Sequence, residues 1–305
     1  MRRILLFVNY NQGDTLENRT AYSLKYLKKL YDEIVVISNS KLSKVDEAKI
    51  KGLSGEIIYR KNSGYDFAAW RDGIKQIGWD KLTTYDELTL MNDTCYFPIF
   101  PIEKYIDKFG DDEAIDFWGA YMHAAAPHGM PGTATVDYPG DPIPEHLQSY
   151  FITFKNDVLI SGVFQDFWNN IEEYSNVDTV IREYETQLTS KLKTTGFKYD
   201  AIYKAHNNYL YLHPEKMLKQ HFPFLKIKAV HYYNIKHIKR IIRKLGSEYS
   251  AQIITPIAED KHLKLIIRSF LPGSVWDAIR WLRKNARYIW AVAVTLCVAY
   301  LIVRG

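Results

Sequence analysis

The sequence predicts an α/β protein built on a mostly parallel central sheet with helices on both faces. Short apolar runs alternate with helical patterns from the N-terminus onward, an order typical of parallel strands joined by helical crossovers. The chain has 305 residues, of which 47% are hydrophobic and 25% charged, and this suffices for one large core. Residues 274–305 differ in composition from the rest and predict an appended tail.

Four short apolar runs bounded by polar turn residues predict the strands at the centre of the sheet. They are Ile4–Val8, Ile34–Ile37, Glu56–Tyr59 and Leu88–Met91. Helical patterns separate these runs, and a turn containing glycine introduces the last of the helices. The predicted helices cover residues 21–30, residues 45–53 and a segment that continues through Ile74.

The second half of the chain is less regular. Ile115–Tyr121 predicts a strand, and His146–Phe154 predicts another that can pair beside it. Met122–Glu145, between them, is rich in Ala, His, Gly and Pro without periodicity, and an insertion of this length is usually functional or mobile. Further predicted elements are helices over 163–174 and 180–197, the second closed by Gly196, and a last strand over Leu225–His231.

Charge and cysteine content exclude several classes of protein. The net charge of +5 is mild, and no Lys/Arg run interleaved with aromatic residues indicates a nucleic-acid groove. Of the two cysteines, Cys297 lies in the apolar tail, so a disulfide framework is not expected and a reducing compartment is favoured. The apolar run near the N-terminus is too short for a signal peptide and lacks a small-residue cleavage site.

The tail predicts attachment to a membrane. Residues 274–287 form an amphipathic pattern with basic residues among tryptophans, and Tyr288–Val303 carries no charge. That uncharged stretch is shorter than the roughly 20 residues of a full span, and the preceding basic residues favour the cytoplasmic side. We therefore expect anchoring at the cytoplasmic face of the plasma membrane, after a connecting helical segment over 236–273. A buried C-terminal helix is the alternative.

Polar residues follow the predicted strands at one edge of the sheet. Asn92, Asp93 and Thr94 come directly after Leu88–Met91, where ligands of open α/β sheets collect. A carboxylate flanked by short oxygen-bearing side chains suits a divalent cation that also takes phosphate oxygens. The alternative is an ordinary Asn-Asp turn. The first and second strands also end in polar residues, at Asn9, Tyr10 and Asn39.

The turn before the third helix predicts a phosphate site. Asn62, Asp66 and Arg71 lie at the opening of this helix, where backbone amides and an arginine favour phosphate. Asp66 can accept hydrogen bonds from ribose hydroxyls or a base. An Asn-Ser-Gly sequence is also an ordinary turn, which is the alternative.

A later helix carries two acidic residues, Glu183 and Glu185, which the pattern places early in the helix. If the helix N-terminus faces the same crevice, one glutamate can act as general base toward an acceptor hydroxyl. The alternative is that acidic residues in a first turn complement the helix dipole, and we prefer this for Glu183.

Several ordered motifs resemble one family. The segments NSGYDFAAWRDG, LMNDTCYFP, DFWGAY, HLQSYFITF and YETQLTSKLKTTGF are similar to those of the rhamnan synthesis protein F family, over roughly residues 1–231. These are bacterial glycosyltransferases of rhamnose-rich cell-wall polysaccharides. The resemblance implies a GT-A-like, Rossmann-like domain over 1–235 and transfer of L-rhamnose from dTDP-rhamnose with inversion, onto a lipid-linked or glycan acceptor.

The resemblance also implies residue roles. Asp93 occupies the last position of an Asp-x-Asp motif that binds metal and diphosphate, while Asn92 replaces a neighbouring acid. Glu185 takes the position of the base, with Tyr184 replacing the acid that precedes it. His231 is the candidate that completes the shell of a divalent metal, Mn²⁺ or Mg²⁺. The residue patterns and the resemblance together predict donor binding by Asn9, Tyr10, Asn39, Asn62, Asp66, Arg71, Asn92 and Asp93.

The acceptor side is predicted at Trp118, His146 and Gln148, beneath a 122–145 loop that would close and exclude water. Two other functions stay open from the sequence. One is a non-catalytic subunit of a polysaccharide assembly complex that binds a glycan or lipid-linked intermediate. The other is a metal-dependent phosphate-ester hydrolase, disfavoured because no second acidic cluster is present to hold another metal.

Overall fold

The structure is a computed structural model that describes residues 1–125, 143–205, 209–232 and 235–247. The strands in this part are β1 Arg3–Asn9, β2 Glu33–Ser38, β3 Glu56–Tyr59, β4 Glu87–Asn92, β5 Cys95–Tyr96, β6 Phe117–His123, β7 His146–Leu147, β8 Phe151–Lys155, β9 Tyr199–Ala205 and β10 Leu225–Lys226. The predicted tail at 274–305 lies outside the described residues, as do 126–142 of the predicted loop.

The central sheet has eight strands in the order β3-β2-β1-β4-β8-β6-β7, with β9 paired to β6 off this path. The strands β1 to β4 are parallel, β8 is antiparallel to both β4 and β6, and β9 is parallel to β6. Only β7 and β8 therefore oppose the other strands of this described sheet. The prediction of an α/β fold with a mostly parallel sheet is confirmed.

Helices follow most of the described strands. They are α1 Asn18–Leu27, α2 Lys44–Leu53, α3 Tyr65–Ile77, α4 Trp79–Leu82, α5 Glu103–Asp111, α6 Asn156–Leu159, α7 Gly162–Asn169, α8 Val177–Val180, α9 Thr186–Thr194, α10 Tyr209–Leu212, α11 Pro214–Lys219, α12 Ile227–Tyr232 and α13 Ile235–Lys244. A π-helical turn, Ile181–Glu185, joins α8 and α9 into one continuous run. None of the described helices is long and apolar enough to cross a membrane.

Two hydrophobic clusters cover the two faces of the sheet because successive strand residues point to opposite sides. In β1, Ile4, Leu6 and Val8 join the cluster that also contains α3, α7 and α9 residues. Leu5 and Phe7 join the other cluster, with residues of α1, α2 and α5. Every one of these five side chains is at most 1% exposed, so both faces of the strand are fully buried.

A third cluster joins α12 and α13 to the domain. Ile238 and Ile242 of α13 are fully buried with Tyr96, Leu225 and Ala229. The hydroxyl of Ser247 also donates a hydrogen bond to the carbonyl of Ile99. Residues 236–247, predicted as the start of a connecting segment, therefore pack against the folded unit.

Two predicted strands differ from the structure. Residues 146–154 form two strands, β7 and β8. In the segment between them, the backbone N–H of Gln148 donates to the Tyr121 carbonyl at 2.9 Å. Residues 225–231 form a two-residue strand and then α12. Leu225 is buried in β10, and Ala229 and Val230 are buried in α12; a short apolar run does not distinguish a buried strand from a buried helix by sequence.

Candidate active site at the carboxyl ends of the strands

Asn92 ends β4 and connects three parts of this edge. Its Oδ1 accepts hydrogen bonds from the Thr94 amide at 3.2 Å and the Thr94 hydroxyl at 2.6 Å, and its Nδ2 donates to Asp66 Oδ2 at 2.7 Å. An amide can donate and accept at once, whereas an aspartate here would only accept and would repel Asp66. Asn92, next to Asp93, therefore positions the Asp66 carboxylate instead of adding another acid to this edge.

Asp93 is held by the neighbouring strand. The parallel pairing of Val8 with Asn92 brings the ends of β1 and β4 together. Asp93 Oδ2 accepts from Asn9 Nδ2 at 2.9 Å and from the Tyr10 amide at 3.0 Å. Burial raises the pKa of the Asp93 carboxyl, and the charge of Arg19 with these two hydrogen bonds partly opposes the shift. The predicted position of Asp93, at the end of a buried strand, is confirmed.

Asp66 lies in the first turn of α3, after a turn that requires glycine. Gly64 has a φ of 67°, and a Cβ on it would lie 2.5 Å from the Ala68 Cβ. Burial raises the pKa of Asp66 to about 6; the Asp93 carboxylate and, more weakly, Glu185 add to the shift, while the Asn92 hydrogen bond and the Lys226 charge oppose it. Asp93 and Glu185 therefore both lie within electrostatic reach of Asp66.

Glu185 lies at the last position of the π-helical turn, within the continuous helical run from Val177 to Thr194. The alternative reading, an acid in a first helical turn that complements the helix dipole, therefore does not apply to Glu185. A π turn is frequent at functional sites because it displaces one side chain from the helical register. Glu183, two residues earlier, pairs with Arg182 at 2.8 Å.

Two side chains contact Glu185, His146 of β7 and Ser149 of the β7–β8 connection. The Ser149 hydroxyl donates to Oε2, and His146 Nε2 lies 3.8 Å from Oε1. His146 Nδ1 is 2.8 Å from the Pro144 carbonyl, which can only accept, so Nδ1 carries a hydrogen. The His146 ring stacks on His123, with centroids 5.1 Å apart. The structure thus brings the predicted residue His146 next to the predicted base, and adds Ser149.

Several predicted site residues have other partners. Trp118 is 1% exposed and stacks on Phe109 inside the core. Side chains alternate along β6 and both faces are buried, so Phe117 joins one hydrophobic cluster and Trp118 the other. Its predicted contact with an acceptor is wrong. Arg71 donates to the Ile171 carbonyl at 2.8 Å and pairs with Glu173 at 3.0 Å, linking α3 to the segment after α7.

The remaining predicted residues lie at the same edge with different exposure. Asn39 is buried, and its Oδ1 accepts from Arg60 at 2.9 Å. Tyr10 is 44% exposed and Asn62 is also exposed, so both are accessible to a ligand. Gln148 is 9% exposed, which leaves little of it for a sugar hydroxyl.

Two cations at this edge were missed by the sequence reasoning. Arg19 of α1 donates to the Asp93 carbonyl and pairs with Glu17 at 2.5 Å. Lys226 of β10 donates to the Thr94 hydroxyl at 3.0 Å and is 8% exposed. A lysine inside an apolar run was the available indication for Lys226, whereas no sequence pattern distinguishes Arg19 from other basic residues of a helix.

The oxygen atoms at this edge fit a divalent cation that also binds phosphate oxygens and water. Within the described ranges, no group of three His, Cys, Asp or Glu residues could hold a metal ion. Asp66 and Asp93 supply carboxylates, and the buried Asn9 Oδ1 has no hydrogen-bond partner there. Mg²⁺ is commonly bound by one or two carboxylates together with phosphates and water. His231 lies in α12 rather than a strand, and its side chain is outside the described part, so its metal role stays a prediction.

Comparison with known proteins yields one family and one curated relative. The model of the family described as rhamnan synthesis protein F matches residues 34–297. An uncharacterized protein, y4gN of Sinorhizobium fredii (strain NBRC 101917 / NGR234), is 30% identical over 171 residues, which is 56% of this chain and 40% of that protein. The chain thus spans less than half the length of this relative.

Solved structures are similar at low identity. A putative nucleotide-diphospho-sugar transferase from Desulfovibrio desulfuricans G20 is 12% identical with a TM-score of 0.39, covering 80% of this chain and 99% of that one. A cytidylyltransferase from Leptospira borgpetersenii serovar Hardjo-bovis (strain JB197) is 12% identical with a TM-score of 0.38, covering 85% and 98%. These TM-scores are too low to carry an argument about activity.

Proposed function

The chain belongs to the rhamnan synthesis protein F family, and we propose that it is an inverting GT-A-like glycosyltransferase that transfers L-rhamnose from dTDP-L-rhamnose. The observation that supports this most is the grouping of Asp66, Asp93 and Glu185 at one sheet edge with different partners. Asp66 and Asp93 are oriented by amides, whereas Glu185 is oriented by a hydroxyl and faces a histidine. This difference suits binding of the nucleotide-sugar donor by Asp66 and Asp93, and of the acceptor saccharide beside Glu185.

On the donor side, Asp93, Asn92 and Asp66 would bind the nucleotide and its diphosphate. The amide of Asn9 and the backbone of Tyr10 hold Asp93, so its carboxylate is preorganised. When bound, a divalent cation held by Asp93 and Asp66 would offset charge on the diphosphate. Exposed Tyr10 and Asn62 lie where the nucleoside would rest.

On the acceptor side, Glu185 would act as general base. Because Ser149 satisfies Oε2, Oε1 remains to accept the proton of the acceptor hydroxyl. The acceptor's hydroxyl oxygen, losing its proton to Oε1, forms a bond to the anomeric carbon as the bond from this carbon to the diphosphate oxygen breaks. The pair of electrons leaves with the nucleoside diphosphate, and a single displacement of this kind inverts the configuration.

The acceptor would be a glycan or lipid-linked saccharide at the cytoplasmic face of the plasma membrane. Support comes from the sequence of 274–305, whose basic amphipathic and uncharged segments suit a membrane surface. A chain ending at residue 273 should leave the membrane fraction and remain folded. Continued sedimentation of this chain with membranes would contradict the proposed anchor.

The test of the function is nucleotide release from a panel of dTDP-, UDP- and GDP-sugars, with and without Mn²⁺, in the presence of a saccharide acceptor. We expect release that requires both one class of donor and the acceptor, and a product with inverted configuration by NMR. Binding of a donor without release under any condition would instead indicate a binding subunit. Release of inorganic phosphate from simple phosphate esters would indicate a hydrolase.

A further inference from the structure

Lys226 is a buried lysine beside the candidate active site. It belongs to β10 and pairs with Cys95 of β5, the strand that follows the Asn92-Asp93-Thr94 turn. Only 8% of the residue is exposed. A buried ammonium group is unfavourable unless charged or polar partners replace its lost water.

The partners of this ammonium group are few. Nζ donates to Thr94 Oγ1 at 3.0 Å and lies 3.9 Å from the centroid of the Tyr150 ring. Among the described residues, no carboxylate oxygen lies within 4.0 Å of Nζ. The cation–π contact and one hydroxyl replace part of the hydration, and an ammonium group has three donors. The remaining donors suit an anion that arrives with the substrate.

A hydrogen-bonded chain joins Lys226 to the carboxylates. Since Thr94 Oγ1 accepts from Lys226, it donates its own hydrogen to Asn92 Oδ1 at 2.6 Å, and Asn92 Nδ2 donates to Asp66. The Lys226 ammonium group therefore lies at one end of this hydrogen-bonded chain and the Asp66 carboxylate at the other. Arg19 differs because the Glu17 carboxylate already pairs with its guanidinium.

We propose that Lys226 binds the diphosphate of the nucleotide-sugar donor and offsets the charge that grows on the leaving diphosphate oxygen as its bond to the anomeric carbon breaks. This inference rests on the proposed function and extends it to a residue outside the Asp-x-Asp region. The group is a binding and charge-stabilising residue, and no proton transfer by Lys226 is required. If Lys226 served only to join β10 to β5, its replacement would change the binding of a diphosphate and of an uncharged ligand to the same extent.

The test is isothermal titration of dTDP, UDP, GDP, the corresponding nucleosides and inorganic pyrophosphate, in Mn²⁺ and again in EDTA. Lys226→Met keeps the length of the buried side chain and removes the charge. Its matched control is Lys228→Met, an exposed lysine two residues away. We expect Lys226→Met to weaken nucleoside diphosphate binding by about 10- to 100-fold, as for a charged hydrogen bond, with nucleoside binding unchanged. Lys228→Met should leave both affinities unchanged.

Each other outcome has a distinct meaning. Equal diphosphate affinity of wild type and Lys226→Met overturns the inference, and so does an equal loss for diphosphate and nucleoside. If pyrophosphate binds in a way that depends on Lys226 and no nucleoside diphosphate binds, the anion site is retained and the proposed sugar transfer is rejected. If no probe binds, both the anion site and the proposed sugar transfer are rejected. If Lys226→Met does not fold by circular dichroism, Lys226→Gln, which keeps an N–H for Thr94, gives the same comparison.

Discussion

The parallel and antiparallel halves of the sheet supply different chemistry to one edge. In the parallel half, β1 and β4 end beside each other, and the acids there are fixed by amide donors from the adjacent strand end or turn. In the antiparallel half, the β7–β8 connection meets a π turn, and Glu185 contacts a hydroxyl and a histidine. The parallel half thus offers oriented carboxylates that can bind a cation or a donor's hydroxyl groups. The antiparallel half offers a carboxylate beside a hydroxyl and an imidazole, which suits proton transfer.

The change expected to have the largest effect is Glu185→Gln, which tests the antiparallel half. The amide keeps the size of the side chain but cannot accept a proton, so transfer should fall by about 10²- to 10⁴-fold with donor affinity unchanged. The measurement is kcat together with the donor dissociation constant. Glu183→Gln is the control, because Glu183 is 43% exposed and pairs with Arg182. A donor affinity that falls in step with the rate would make Glu185 a binding residue.

Asp93→Asn tests the parallel half and should lower transfer by about 10- to 100-fold, mainly through weaker donor binding. The amide removes one charge from the edge and presents an N–H₂ group that competes with the Asn9 and Tyr10 donors. Initial rates over a range of donor and Mn²⁺ concentrations measure the effect. The control is Asp86→Asn, an exposed acid that precedes β4. Near wild-type turnover of Asp93→Asn in EDTA would reject both the metal and the residue assignment.

Asp66→Asn should lower donor and metal binding, as its proposed ligand role requires, and the smallest of the predicted effects is its separate change in stability. The pKa of Asp66 is raised from 3.8 to about 6, so the native state binds this proton more tightly than the unfolded chain. The free energy of unfolding therefore falls as the pH rises from about 4 to 6, and the variant should be more stable by about 1–2 kcal/mol above pH 6. Urea unfolding of both proteins at pH 4, 5, 6 and 7 measures the difference.

The control for Asp66→Asn has the opposite sign. Hydrogen bonds from Ser63 and Arg71 lower the pKa of Glu173, so this residue adds stability at pH values above its unfolded pKa. Glu173→Gln should therefore reduce the stability near pH 7 and show no gain from acid to neutral pH. A pH dependence of Asp66→Asn that equals that of the wild type would place Asp66 in a solvated position.

Local sequence was sufficient for the elements of the parallel half. The strand Glu56–Tyr59 has the predicted bounds, and Gly64, with a φ of 67°, lies in the predicted glycine turn before α3. Asp93 also lies where a polar residue after a short apolar run was expected. These features depend on hydrophobic period and turn chemistry, which act over a few neighbouring residues.

The antiparallel half was predicted less well because its structure depends on contacts between distant segments. Between β7 and β8, the backbone amide of Gln148 donates a hydrogen bond to the Tyr121 carbonyl of β6. No residue pattern within 146–154 indicates this partner. Trp118 appeared suitable for binding a sugar, but the alternation of β6 places it in the core. The π turn that contains Glu185 likewise has no local pattern in the sequence.

The sequence by itself determined the order of β1 to β4 and of the helices α1 to α3 between them, the family, and the acids that follow the buried strands. The tertiary structure decided which groups those acids contact: Asn92 with Asp66, Ser149 with Glu185 and Lys226 with Thr94. The last two pairs join residues separated by 36 and 132 positions. A side chain's local preferences do not depend on a partner that far along the chain, so only the packed sheet could bring these charges and their ligands to one edge.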